Sequence, residues 1–493
     1  MNKILKYFIA FTIIPVGALL CFSQSFAQQI GELSLKEAID IAHEQSSAAQ
    51  AARYSLLSSK YQNKSSRADL LPRLVLTGEA PNYQHNIFQN VLDDGTVVFS
   101  ERQQSAAEAT LKIEQDVLWT GGTISLSSGV SKLGMFYGED NYYWQSSPLV
   151  IGIEQPIFQF NSLKWQHKIA PLELEIAQKE YVEDMEDLSI RVTRSFFNAI
   201  LAKANVENAE FNVSRNDSIY TISQGRYEQG TIAENDLLQT KLALKNAKSD
   251  LVRSKIDYQR SINNLKILLG YSTDVELTLK VPNNLPNVPV NIEKAKQLAF
   301  KNNSEALNYK LNEIQADREL AAAKGQGGLS ATIRANYGLN KSSANFQDLY
   351  TNTQSQQFFT VGFDLPIFNW GKQRARVSSA KNRQREVENS IQLQRRQFLQ
   401  EVQYQVSQFL QLKDQAELAA EADTIAQRRY FVSQKRYRIG KIDLTDLYIA
   451  QNEKDQARIS YIRALQDYWD GLYSLRKLTL YNFRRNKPIT YSL

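Results

Sequence analysis

Sulfur is nearly absent from this sequence, which has one cysteine, Cys21, and three methionines in 493 residues. Beyond Cys21 the chain can form neither a disulfide framework nor a thiolate metal site. Histidine is as scarce. His43, His85 and His167 fall in separate segments with no metal-ligand spacing and no nucleophile motif, so each reads as a surface residue or part of a packed belt. No catalytic residue, cofactor or metal is indicated, and the chain does not read as an enzyme. The charge balance also lacks asymmetry: the net charge is +6, part of it in the first residues, and Lys and Arg are interspersed with Asp and Glu. A nucleic-acid partner would call for basic residues gathered on one face. The carboxylate pairs Glu183/Asp184 and Asp184/Glu186 lie among other helical charges and read as a solvated face. Beyond residue 28 no run approaches the roughly 20 apolar residues of a membrane helix. A membrane span would have to be made of strands.

The exception is the start. Two lysines, an apolar stretch from Tyr7 to Phe22 and the small residues of Ser25-Phe26-Ala27 describe a cleaved signal peptide over residues 1–27, with Gln28 as the mature start. An uncleaved anchor would need a longer apolar run. Lipidation of Cys21 is the weaker alternative, because Leu20 is bulky where lipoprotein signals want a small residue.

Proline is missing from two long stretches, between Pro171 and Pro282 and between Pro366 and Pro488, so each can be almost wholly helical. SQGRYEQGTIAENDLL (223–238) and SQKRYRIGKIDLTDLY (433–448) repeat one phrase 210 residues apart, and the match continues through Ala247/Ala457, Tyr258/Tyr468 and Tyr271/Tyr481. Such a repeat marks duplicated architecture. Each copy reads as a long helix, a tight turn at Gly230 or Gly440, and a return helix; glycine suits the turn because it accepts a positive φ. Gly225, Gly270 and Gly471 have no counterpart in the other copy and carry less weight. Ile391, Phe398, Leu412 and Ala419 lie on a seven-residue lattice broken only by Gln405, with Val402, Phe409 and Ala416 on the companion position. This is coiled-coil spacing, and it points to apolar flanks that pack between copies of the chain.

Alternating β-like segments precede each helical hairpin: 72–78, 109–130 and 147–158 in the first copy, 329–338 and 357–368 in the second. Tyr142, Tyr143, Trp144, Phe358 and Phe359 cluster near strand ends, as in outer-membrane barrels, although each strand alone fits a soluble sheet equally well. Shorter helices over 33–62 and 290–324 align at an offset of 257, whereas the PIF triplets at 156–158 and 366–368 align at 210, so the first β region carries a 47-residue insertion. The division is then a first repeat, 28–281, with its long hairpin at 160–270; a Pro-rich linker, 282–289; and a second repeat, 290–493, with its hairpin at 370–482. Gly121-Gly122 is a tight-turn signal, which gives the insertion a hairpin of its own. That hairpin either adds strands to the barrel wall or projects above it. Four strands from two hairpins cannot close a barrel, and open edges are not tolerated in lipid, so copies must pool their strands.

LSLKEAIDIAHEQS at the start, LPIFNWGKQRARVSSA (365–380) and the two RY-x-x-G-x-I turns together resemble the TolC-like outer-membrane efflux proteins, and the resemblance covers essentially the whole mature chain. It implies a mixed α and β membrane protein. Three copies would form a 12-stranded outer-membrane barrel, four strands per chain, continuous with a periplasmic α-helical coiled-coil barrel; the inserted hairpin would then project outside the cell, since two more wall strands per chain would make an 18-stranded barrel unmatched to a tunnel of 12 helices. It further implies a passive exit duct of a tripartite efflux or type I secretion system, opened by a periplasmic adaptor and an inner-membrane pump of resistance-nodulation-division, ABC or MFS type. The turns would be the adaptor-binding tips, with Arg226, Tyr227, Gly230, Arg436, Tyr437 and Gly440. The gate would use Tyr437 tied to Asp236, with Asp446 lining the constriction; Ile449 and Ile442 stand where the family has a second aspartate and an arginine, and Lys441 is the cation beside them. The alternative is an exported coiled-coil scaffold or adhesin without a channel.

Overall fold

The computed structural model describes residues 32–136, 141–272, 274–282, 284–439, 441–442 and 444–492. The expected signal peptide with Cys21, and Gly440, lie outside these residues. In chain order the elements are β1 (Glu32–Leu33), α1 (Leu35–Gln45), α2 (Ser47–Ala68), β2 (Arg73–Val91), β3 (Val97–Asp116), β4 (Thr123–Met135), β5 (Asn141–Ile157), α3 (Ser162–Glu228) and α4 (Glu234–Leu269). The second half has β6 (Thr278–Leu279), α5 (Ile292–Asn302), α6 (Ser304–Gly325), β7 (Ser330–Ser343), a 3-10 turn (Phe346–Tyr350), β8 (Gln354–Asp364), α7 (Lys372–Arg438), α8 (Leu444–Thr479), β9 (Tyr481–Asn482) and β10 (Lys487–Pro488).

α3 and α7 are 67 residues each, about 100 Å at ~1.5 Å per residue. No globular core requires such a length; the helices are a wall. Their neighbours fix an order. Around one end of the molecule α4 packs on α3, α3 on α8 and α8 on α7; nearer the sheet the order is α2, α3, α6, α7. α2 and α4 thus occupy one edge of the helical layer, and α7 occupies the other. Gly270 ends α4 with φ +84, and a Cβ there would lie 3.0 Å from the Gln45 carbonyl oxygen, so this unmatched glycine is a required stop after all.

The short helices wrap the middle. Ser34 and Glu37 cap α1 reciprocally, with the Ser34 amide 2.9 Å from the Glu37 carboxylate. Ala38 and Ala42 then set α1 against Phe196, Phe197 and Ile200 of α3 and Leu265 and Leu269 of α4. In the second half Ala295 and Ala299 of α5 meet Val402, Val406 and Phe409 of α7 and Tyr468 and Leu475 of α8. Small residues on the belt helices permit close approach, and each large apolar side chain buried there contributes about 1.5–3 kcal/mol. The Phe409 lattice is therefore intrachain core, not the flank between copies that its spacing suggested. The Phe409 ring lies 5.5 Å from that of Tyr468, and Gly471 leaves room for Leu412, whose Cδ1 would be 2.5 Å from an added Cβ.

The acidic run of α3 is a solvated face only in part: Asp184 is exposed as expected, but its neighbours turn inward. Glu186 is fully buried, bonded to Arg476 at 2.6 Å and to the Tyr491 hydroxyl at 2.5 Å, while Glu183 accepts from the Ser304 amide and hydroxyl at the start of α6. The chain's last residues and α8 fold over this part of α3, which a helical pattern cannot foretell.

One antiparallel sheet runs in the order β2-β3-β4-β5-β7-β8. Among the described residues it holds six strands, not four, because the insertion supplies two members of the sheet rather than a separate projection. Leu74, Ile113, Leu126, Ile151 and Tyr337 are cross-strand partners in one continuous row, and all five are exposed. On the opposite face Asp116, Thr123, Glu154, Arg334 and Thr360 form a row of polar groups, with Arg334 and Glu154 3.2 Å apart. The Gly121-Gly122 turn lies at the helix-proximal end, where the Asn161 amide donates to the Leu118 carbonyl at 2.8 Å. Among the described residues the tips of β2 and β3 pass beyond β4: pairs from His85/Gln103 up to Val91/Val97 form a two-stranded ribbon.

Candidate functional site: the helical tips and the polar groove

Both long helices end in the same way. The Thr231 amide donates to the Arg226 carbonyl at 2.9 Å, and the Lys441 amide donates to the Arg436 carbonyl at 2.9 Å. These six-residue bonds satisfy carbonyls that a helix end leaves without partners. Gly230 has φ +68, the left-handed conformation in which a side chain would be strained. Arg226, Tyr227, Arg436 and Lys441 are exposed around the turns, and Tyr437 is half-buried. Asp236 and Asp446 stand exposed in the first turns of α4 and α8, where the helix dipole favours an anion.

Tyr437 and Asp236 are not brought together within one chain. Tyr437 closes α7 and Asp236 opens α4, and these helices form opposite edges of the layer. They can approach only where the α7 edge of one copy meets the α4 edge of another.

Between the two hairpins α3 and α8 interlock through polar side chains. The Tyr448 hydroxyl donates to Asn216 Oδ1 at 3.0 Å, Gln451 bonds Asn212, and the Arg215 guanidinium lies 4.5 Å over the Tyr448 ring. Burial holds Arg215 below the usual arginine range, and among the described residues its Nε and Nη1 have no hydrogen-bond partner. Beside it Arg458 pairs with the buried Asp423 at 3.3 Å, and Lys454 lies over the Phe211 and Tyr430 rings.

A groove of about 860 Å³ runs between α3, α4 and α8. Asn198, Asn205 and Asn212 line it from α3, with Asn246, Asp250 and Asp257 from α4 and Asn452 and Gln456 from α8. It occupies the face of α3 turned away from Phe196, Phe197 and Ile200, hence away from the belt. Such a wall suits water and solutes, not packing. Sequence reasoning missed it, although the seven-residue spacing of the three asparagines was a usable signal. Among the described residues no group of three or more His, Cys, Asp or Glu could hold a metal, and no helix is long and apolar enough to cross a membrane.

The chain matches the family model described as outer membrane efflux protein over residues 100–271 and 297–479. It is 21% identical over 344 residues to the alkaline protease secretion protein AprF of Pseudomonas aeruginosa, covering 66% of this chain and 69% of that one. With the cation efflux system protein CusC of Escherichia coli it shares 22% over 210 residues, 40% of this chain and 42% of CusC. Its fold superposes on the Campylobacter jejuni CmeC outer membrane channel with a TM-score of 0.66 at 15% identity, covering 93% of this chain and 87% of that one. Duplicated matches in the two halves agree with the duplicated hairpins, and the chain accordingly belongs to the outer membrane efflux protein family, the TolC-like channels of efflux and secretion systems, which are not enzymes.

Proposed function

We propose that three copies of this chain form the exit duct of a tripartite efflux or type I secretion system, closed at rest by the helical tips and opened by a periplasmic adaptor with its inner-membrane pump. The supporting observation is that the open edges of sheet and helical layer coincide. β2 follows α2 on one side, and β8 leads into α7 on the other, so a single rotation brings β8 to β2 and α7 to α4 of the next copy. Exposed apolar residues mark both helical edges: Tyr404, Leu418, Ile425 and Val432 at seven-residue multiples on α7, and Leu238, Leu242, Val252 and Ile256 on α4. These, not Phe409, are the seam.

In this assembly the apolar face of the sheet meets outer-membrane lipid, the belt encircles the periplasmic tunnel, and the asparagine-lined groove faces its lumen. Tyr437 of one copy reaches Asp236 of the next, and three Asp446 carboxylates ring the narrow end and favour cations. Arg226, Tyr227, Gly230, Arg436 and Gly440 offer the adaptor its docking tips. Cargo is set by the pump; the relatives named above serve protease secretion in one case and cation efflux in the other. Recovery from outer membranes as a heat-modifiable trimer that forms channels in planar bilayers is the expected result. An extended monomer recovered from the soluble fraction would overturn the proposal in favour of an exported scaffold.

A further inference from the structure

We infer that the inserted strands widen the outer-membrane pore: three copies close an 18-stranded barrel as broad as the helical tunnel, so the duct accepts at its exit whatever the open tunnel accepts. The inference rests on the trimeric channel proposed above and adds the width of its exit.

β3 and β4 are continuous with the rest of the sheet through both neighbours and carry both of its faces. Leu126 joins the apolar row between Ile113 and Ile151, while Thr123 joins the polar row between Asp116 and Glu154. A hairpin standing above a barrel in water has no reason to keep an exposed apolar row in register with the lipid-facing row beside it. β4 spans 13 residues, enough to cross the membrane, since about 9–11 tilted residues suffice.

Circumference gives the second argument. Strands about 4.8 Å apart, tilted by about 40°, each take roughly 6 Å of perimeter, so eighteen take about 110 Å and twelve only about 75 Å. Twelve helices at interaxial distances of about 8–10 Å take roughly 100–120 Å. Six strands per chain therefore fit four helices per chain, and the expected mismatch does not arise. β8 is an eleven-residue edge with no Lys or Pro to block pairing, and β2 opposite it is exposed along most of its length, with Pro81 beside its one register shift. The occupant of each edge is a second copy of this chain.

The test uses single cysteines in a Cys21→Ser background, labelled in intact outer membranes with a water-soluble maleimide. Leu126→Cys should be protected and Ser127→Cys labelled, as Val361→Cys and Thr360→Cys should be on β8. Protection alternating on β8 with uniform labelling on β4 would overturn the wide barrel and leave the channel standing. Uniform labelling on both strands would overturn the channel itself. A second measurement adds polyethylene glycols of graded size to the extracellular side of a bilayer. Replacing residues 92–140 by a short turn should lower the largest polymer radius that enters by about one third, since barrel diameter grows with strand number. An unchanged cut-off with a folded trimer would overturn the inference.

Discussion

Arg476 Nη2 lies 2.6 Å from Glu186 Oε1 across 290 positions of sequence, and the glutamate is fully buried. Removing one partner strands the other charge. Arg476→Met should cost about 3–5 kcal/mol, and adding Glu186→Leu should recover most of it, because apolar replacement of a whole buried pair is often neutral. Urea unfolding followed by circular dichroism in mild detergent decides it; equal midpoints for the single variant and the wild type would show that the pair contributes nothing.

His43 Nε2 bonds the Met185 carbonyl at 3.0 Å and Ser189 Oγ at 2.9 Å, and the ring meets Tyr491 edge-on. Burial pushes its pKa down, outweighing the Met185 carbonyl and Asp40, which raise it; Arg476 and Arg53 lower it further. A base with a lowered folded pKa binds fewer protons folded than unfolded, so stability is lost as pH falls through the unfolded value of about 6.5 towards the folded one. His43→Gln should therefore flatten the melting temperature's dependence on pH between about 7 and 5. A variant curve parallel to the wild type's would rule out His43 as the source.

Ile425→Asp on α7 should give a folded chain that does not assemble, because three carboxylates would be buried in the seam at several kcal/mol each. Phe409→Asp should instead unfold the second belt core. Sedimentation separates assembly from folding when read beside far-ultraviolet circular dichroism. Trimers from Ile425→Asp would exclude the α7–α4 seam.

A Tyr437–Asp236 bond between copies would contribute about 0.5–1.5 kcal/mol, and three would bias the closed state by a few kcal/mol. Tyr437→Phe with Asp236→Ala should raise single-channel conductance in planar bilayers, and Asp446→Asn should independently weaken cation preference. Wild-type conductance from assembled double variants would reduce the tips to docking turns.

Sequence alone determined the local elements. Proline-free stretches, a repeated phrase and a glycine needing positive φ are properties of adjacent residues, so the four wall helices and the Gly230 turn were legible. Tertiary structure decided which faces meet. A seven-residue apolar spacing says that a helix face is buried but not against what, and so Phe409 read as a seam while Ile425 and Val432 passed unnoticed. Glu186 read as solvated because Arg476 and Tyr491 reach it from the far end of the chain. The sheet followed the same rule. Alternation in β4 is compatible with any sheet, and only its pairing with β3 and β5 placed it among six strands, because strand register is set by hydrogen bonds to neighbours distant in sequence.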